Sequence, residues 1–140
     1  MHVRSFQLSD YRPLTRLLEL SLTEACYEQT MEAFARQLSW DSELVLVASK
    51  DNDIVGMIIG TIDNNKGYYY RIAVNPDYQR QGIGKSLIQG LRQRFEQRGV
   101  SKIMITADEY NEPILSLYES MGFAAKDFMR SFQKLSIVAG

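Results

Sequence analysis

The run Asn75-Pro76-Asp77-Tyr78-Gln79-Arg80-Gln81-Gly82-Ile83-Gly84-Lys85-Ser86-Leu87 constrains the fold of this chain more than any other segment. A strand must end there, a basic turn must follow, and a helix must begin. The preceding Tyr69-Tyr70-Arg71-Ile72-Ala73-Val74 is rich in β-formers, and Asn75-Pro76-Asp77 is turn chemistry. Beyond the turn, Ile83, Leu87, Ile88, Leu91 and Phe95 recur at helical spacing. Gly82 and Gly84 therefore stand where free N–H groups at a helix start can point at an anion, and where the absent Cβ lets a phosphate approach the backbone.

Any such anion binding must be local. The net charge of the 140-residue chain is -1 and its pI is near 5.8, which gives no bulk attraction to nucleic acid or to an anionic membrane. Cys26 is the only cysteine and His2 the only histidine, so an intrachain disulfide, a Cys/His metal site and a His-based nucleophilic pair all lack parts. A reducing cytoplasm fits this composition. The start, Met1 to Phe6, lacks the apolar core of a signal peptide, and the apolar stretch Ile54 to Gly60 is too short to span a bilayer. The length predicts one domain over 1–140 with a substantial core.

The remaining periodicities predict an α/β chain with a mixed sheet. Val3 to Leu8 reads as a first strand, and Ser9-Asp10 as an N-cap before a helix carrying Leu14, Leu17 and Leu18. A second helix covers Thr23 to Leu38. Leu44 to Ala48, Ile54 to Ile62 and Tyr68 to Val74 read as an antiparallel meander joined by the turns Lys50 to Asp53 and Asp63 to Gly67. The helix from Gly82 to Arg98 ends at Gly99, Lys102 to Ala107 is a short strand, Pro113 to Met121 a helix, and Phe128 to Leu135 a closing strand. A meander followed by a strand-helix-strand crossover implies six to seven strands, with about four helices on both faces.

Two familiar phosphate motifs fail on inspection. Gly84-Lys85-Ser86 resembles the end of G-x-x-x-x-G-K-[ST], but Gln79 occupies its first glycine, and the loop follows a meander rather than an early βαβ unit. The dinucleotide pattern G-x-G-x-x-G would need its third glycine at Leu87. The match is instead Gln79-x-x-Gly82-x-Gly84, the Q/R-x-x-G-x-G/A signature of acyl-CoA binding, in which the chain resembles the GNAT N-acetyltransferase superfamily. Ile72 to Pro76 is similar to that family's fourth strand and its exit, and Asn111 with Leu117-Tyr118-Glu119-Ser120-Met121-Gly122-Phe123 to its downstream N-to-LY-x-x-x-GF element. The resemblance covers nearly the whole chain.

The resemblance implies acetyl-CoA as cosubstrate, no metal, and acetyl transfer to a small-molecule or peptide amine. Homodimers are common in the family, although nothing in this sequence locates an interface. Gln79, Arg80, Gln81, Gly82, Ile83, Gly84 and Lys85 would hold the pyrophosphate, and a bulge would splay the fourth strand so that the backbone of Ile72, Ala73 and Val74 meets pantetheine and the thioester oxygen. Tyr118 would protonate the departing thiolate or be an ordinary core tyrosine. Asn111 would bond pantetheine or cap the following helix. In the branch that acetylates the N-terminal alanine of a ribosomal protein, a glutamate base stands where this chain has Thr106. That leaves Asp108, Glu109, Asp63 or water, and it keeps open a CoA-binding regulatory module with little turnover. Strict alternation would put Tyr69, Arg71 and Ala73 opposite Tyr68, Tyr70, Ile72 and Val74, so one face must carry a buried arginine or line a cleft; Arg71 would receive a carboxylate or aromatic group of the substrate or form a surface cation pair with the tyrosines. Glu24, Glu28 and Glu32, with Tyr27, form an acidic wall or a solvated helix face. Cys26 lies far in sequence from the CoA motif, which argues against a covalent intermediate.

Overall fold

The structure, a computed structural model, describes residues 1–130. Among the described residues, one sheet carries six strands in chain order: β1 (His2–Ser5), β2 (Val45–Lys50), β3 (Asp53–Asp63), β4 (Lys66–Val74), β5 (Lys102–Thr106) and β6 (Phe128–Met129). Strands β1 to β4 are antiparallel neighbours, and β5 and β6 continue the sheet in parallel, the mixed sheet that the sequence predicts. The α-helices among the described residues are α1 (Tyr11–Ser21), α2 (Glu24–Asp41), α3 (Ile83–Gln97) and α4 (Leu115–Ser120). Of the closing strand expected over Phe128 to Leu135, all but its first residues lie outside the described residues.

Alternation along β2 divides the core into two layers. Leu44, Leu46 and Ala48 face α3 and α4, where they meet Leu87, Ile88, Leu91, Phe95, Leu115 and Tyr118. Val45 and Val47 face α1 and α2, packing with Leu14, Leu17, Leu18 and Phe34. The apolar spacing of α1 and α3 thus buries one stripe of each helix against opposite sides of the sheet. Two caps behave differently from one another. Thr23 caps α2 by accepting from the Cys26 N–H at 3.3 Å, but Asp10 does not cap α1 through its side chain. The Asp10 carboxylate turns back to Arg4, at 2.7 and 2.9 Å, and to the Gln7 N–H at 2.8 Å, because the half-buried, bidentate ion pair satisfies it better than one backbone donor does.

The irregularity that matters for function lies on β4. Its pairing with β3 runs Ile59↔Arg71 and then Gly60↔Tyr69, so Tyr70 is an extra residue. This bulge overturns the strict alternation expected for 68–74: Tyr69 joins Ile72 in the α3 layer, while Tyr70 joins Ala73 against α1 and α2. On the other edge of β4, pairing with β5 stops at Tyr69↔Ile105, whereas β4 itself runs on to Val74. From Tyr70 onward the two strands part.

Candidate active site

The parted strands open into a cleft of about 840 Å³. Its lining includes Ile72, Ala73 and Val74 from the free edge of β4, Gln79, Arg80, Gly82, Ile83, Gly84 and Lys85 from the turn and first residues of α3, and Asn111. Every residue expected at the cofactor therefore lines one cleft, except Gln81. That side chain instead accepts from Lys50 Nζ at 2.9 Å. Lys50, at the end of β2, also lies 5.8 Å from the centre of the Tyr78 ring, so it anchors the turn from outside. Nothing in its local sequence marks it for this.

The turn has the geometry of an anion seat. Gly82, the N-cap of α3, has φ +83°, and Arg80 has φ +64°; both are left-handed, and only the glycine adopts this without strain. The first helical backbone bond is from Ser86 N–H to the Gly82 carbonyl, at 3.0 Å. The N–H groups of Ile83, Gly84 and Lys85 consequently have no acceptor within the helix. A Cβ on Gly84 would lie 3.1 Å from Leu117 Cδ2, so that glycine brings α3 close to α4 at the cleft. Gln79 donates to the Val74 carbonyl at 3.4 Å, tying the turn to the end of β4.

Where β4 and β5 part, Arg71 is buried, with a relative exposure of 2%, and its hydrogen bonds all stay within the protein. Its Nε donates to Thr30 Oγ1 on α2 at 3.1 Å, Nη1 to Asn111 Oδ1 at 2.7 Å, and Nη1 and Nη2 to the two Asp108 oxygens at 3.1 and 3.0 Å. The guanidinium sits 4.9 Å from the Tyr70 ring centre and 5.3 Å from that of Tyr110. Burial works against its charge, and Asp108 more than offsets this, so Arg71 titrates above its ordinary value. The buried, cleft-lining arginine that the strand pattern required is present, but both roles considered for it are overturned. It is neither a surface cation nor a free receiver of a substrate carboxylate.

The same network reassigns two further side chains. Asn111 Nδ2 donates to the Tyr70 carbonyl at 2.8 Å and the Thr106 carbonyl at 2.6 Å, so its amide is committed within the protein and does not cap the following turn. Asp108 also accepts from the N–H groups of Tyr110 and Asn111, each at 3.0 Å. A carboxylate so fully engaged has little capacity left to take up a substrate proton. Asp63 pairs with Lys66 at the β3–β4 hairpin, far along the strand from the parting, and Glu109 is exposed outside the cleft. Glu24, Glu28 and Glu32 are exposed and absent from the lining, which is the solvated-face reading, and Tyr27 donates to Glu19 at 3.4 Å. Among the described lining residues there is no carboxylate. Thr106 is buried, and its hydroxyl has no partner among the described residues.

Tyr118 is 1% exposed and packs on Tyr69 and Phe123, with ring centres 5.3 and 6.1 Å away; it is not among the cleft-lining residues. Burial pushes its phenol well above the ordinary value; Tyr69 adds to this and Arg71 opposes it. Cys26 is corrected in the other direction. Though remote in sequence, it lines the cleft beside Arg71 from α2, together with Ser21 and Leu22 at the α1–α2 junction. Chain distance could not reveal this, because α2 folds across the sheet.

Known proteins share the family and the fold. An acetyltransferase of Yersinia pestis (strain Pestoides F) is 30% identical over 138 residues, covering 98% of this chain and 97% of the relative. The PaiA N-acetyltransferase of Thermoplasma acidophilum, solved in complex with coenzyme A, superposes with a TM-score of 0.72 at 21% identity, over 88% of this chain and 89% of that one. The ribosomal-protein-S18-alanine N-acetyltransferase of Escherichia coli gives 0.68 at 22% identity, over 86% and 76%. Residues 13–123 match the acetyltransferase (GNAT) family, and with the splayed strand and the helix-start turn on which the resemblance rested, the chain belongs to that family.

Proposed function

We propose that this protein moves an acetyl group from acetyl-CoA to a primary amine by direct attack within a ternary complex. One observation carries the reading: the unpaired edge of β4 and the start of α3 meet in a single cleft. The free N–H groups of Ile83 to Lys85 and the positive end of α3, a field contributing roughly 0.3–1 kcal/mol, suit the pyrophosphate, with Arg80 and Lys85 adding charge. The pantetheine amides extend the ladder that β4 leaves open. A backbone N–H between Ile72 and Val74 then meets the thioester oxygen as it becomes negative.

The amine nitrogen attacks the carbonyl carbon, the C–S bond breaks, and the thiolate takes up a proton. Tyr118 serves this last step as a donor. Burial keeps its phenol protonated, and because it lies behind the cleft wall it reaches the developing thiolate through a bridging water, which delivers the proton. With no carboxylate in the described lining, the incoming amine loses its proton to water. An α-amine of pKa about 8 is roughly a tenth neutral at pH 7, and a lysine amine of pKa about 10.4 only to a few parts in ten thousand, so acceptors of low pKa are favoured, whether peptide or small molecule. The same lack of carboxylates offers nothing to a polycation. Cys26 has the Thr30 hydroxyl beside its sulfur, at 3.8 Å, and among the described residues no base hydrogen-bonded to activate it. The unpaired cysteine fits a reducing cytoplasm.

The test combines thermal shift with acetyl-CoA and thiol release across a panel of α-amines, lysine peptides and polyamines. A CoA-dependent shift with turnover on α-amines supports the proposal. A shift without turnover on any amine replaces it by the CoA-binding module, and no shift removes the donor site. Cys26→Ala should retain turnover; its loss, together with a burst of acylated protein in the wild type, would establish a covalent route.

A further inference from the structure

Asn111 makes an unusual set of bonds. Its single amide group donates both to the carbonyl of Tyr70, the bulged residue of β4, and to the carbonyl of Thr106, the last residue of β5. These carbonyls lie just beyond the last ladder rung, Tyr69↔Ile105, where β4 and β5 separate. The amide therefore stands where the next β4–β5 rung would be. Its own oxygen is held by Arg71, and its backbone N–H by Asp108, whose two oxygens also grip the guanidinium. Thr30 fixes the third side of Arg71 from α2.

We propose that Arg71, Asp108 and Asn111 form an internal spacer that sets how far β4 and β5 part, and so aims the backbone of Ile72 to Val74 into the cleft. They are positioning residues. Each acts through the strands, and none has to touch the acyl donor. A width fixed by rigid, fully bonded side chains is one that the donor need not create on binding, which lowers the ordering cost of binding. An apolar filler would not do the same. It would leave the carbonyls of Tyr70 and Thr106 unpaired, or allow the strands to close and pair with each other instead of with a ligand. The cationic member sits on β4 and the anionic one after β5, so the attraction between them also resists further opening.

The inference rests on the acetyl-CoA reading, and the experiment keeps the two apart. Asn111→Ala, Asp108→Asn and the double variant are compared with the wild type for CoA affinity by calorimetry, for kcat and KM, and for Tm. Losing the spacer should raise both the CoA Kd and the KM for acetyl-CoA about tenfold, which is the equivalent of one lost buried hydrogen bond, with kcat changed less than about threefold. The double variant should be no worse than the more severe single one, since all act through one unit. Two outcomes overturn the proposal. Either Asn111→Ala lowers Tm while Kd and KM stay unchanged, or Asp108→Asn abolishes kcat with CoA affinity intact, which would make Asp108 a base. Should Asn111→Ala fail to fold, Asn111→Ser carries the same prediction. If the wild type binds no CoA, the donor reading has failed, and the spacer is judged in the unliganded protein. Amide exchange at Ile72 to Val74 should then be about tenfold faster in the Asn111 variant, and unchanged exchange overturns it.

Discussion

Replacing each of the two turn glycines by alanine should move stability and ligand affinity in separable ways. Gly82 has φ +83°, and a Cβ built there meets nothing within 4 Å, so Gly82→Ala acts through the backbone alone. A left-handed alanine costs about 1–2 kcal/mol, and the stiffer unfolded chain returns about 0.4–1, which leaves a net loss of about 0.8 kcal/mol at mid-range and about 1.6 at most. For a domain of this size that is a Tm lower by roughly 2–5 °C. Gly84 lies in the first turn of α3, where alanine is the better helix former by up to about 1 kcal/mol, opposed by a 3.1 Å contact with the flexible tip of Leu117. Gly84→Ala should therefore leave Tm unchanged or slightly raised. Both variants should nevertheless weaken CoA binding. Gly82→Ala turns the N–H groups away, by about tenfold or more for a relaxed turn, and Gly84→Ala puts a methyl between Leu117 and Ile72, two residues of the cleft wall. Scanning calorimetry of the unliganded proteins and titration with CoA measure the two effects independently. If Gly82→Ala keeps both its Tm and its CoA-induced shift, the left-handed turn is not the pyrophosphate seat. If Gly84→Ala loses as much stability as Gly82→Ala, the conformational reasoning is wrong.

Three further outcomes are expected. Tyr118→Phe keeps the buried ring, so Tm should change little while turnover falls about 10–100-fold; full turnover would remove the phenol from the mechanism. Because the folded phenol titrates above its unfolded value, the folded state holds a proton that the unfolded state sheds, and stability should fall as pH rises past about 10, less steeply in the Phe variant. Asp10 is shifted the other way, with Arg4 holding its carboxyl below the ordinary range, so its contribution is present above pH about 4 and is lost as pH falls through the folded value. Asp10→Asn should cost about 1–2 kcal/mol at pH 7, allowing for the partial exposure of Arg4, and denaturant melts of the two proteins should draw together as pH falls below the ordinary carboxylate range; a gap that stays constant on acidification would refute the pairing. Gly60→Ala would set a Cβ 2.6 Å from Leu91 Cδ2, 2.9 Å from Phe95 Cζ and 3.2 Å from the Tyr68 carbonyl, and overpacking should cost about 1–3 kcal/mol by the same melts.

The sequence by itself determined the elements whose signal is local. The turn from Asn75 to Lys85, the apolar stripe of α3, the alternation of β2 and the positions of the hairpins are each written in neighbouring residues, because turn chemistry and periodicity act over a few positions. The resemblance added the splayed strand and the cofactor-facing residues. Tertiary structure decided what depends on partners far along the chain. Arg71 reads identically as a surface cation or a buried one until Thr30, Asp108 and Asn111 close around it from α2 and from the loop after β5. The bulge at Tyr70 is invisible in β4 alone, since an extra residue is defined only by counting against β3, and with it went the expected alternation. Lys50 and Cys26 reached the turn and the cleft only when β2 and α2 were laid against them. A charged side chain takes its role from whichever groups satisfy it, and for Lys50 and Arg71 those groups lie 31 to 41 residues away.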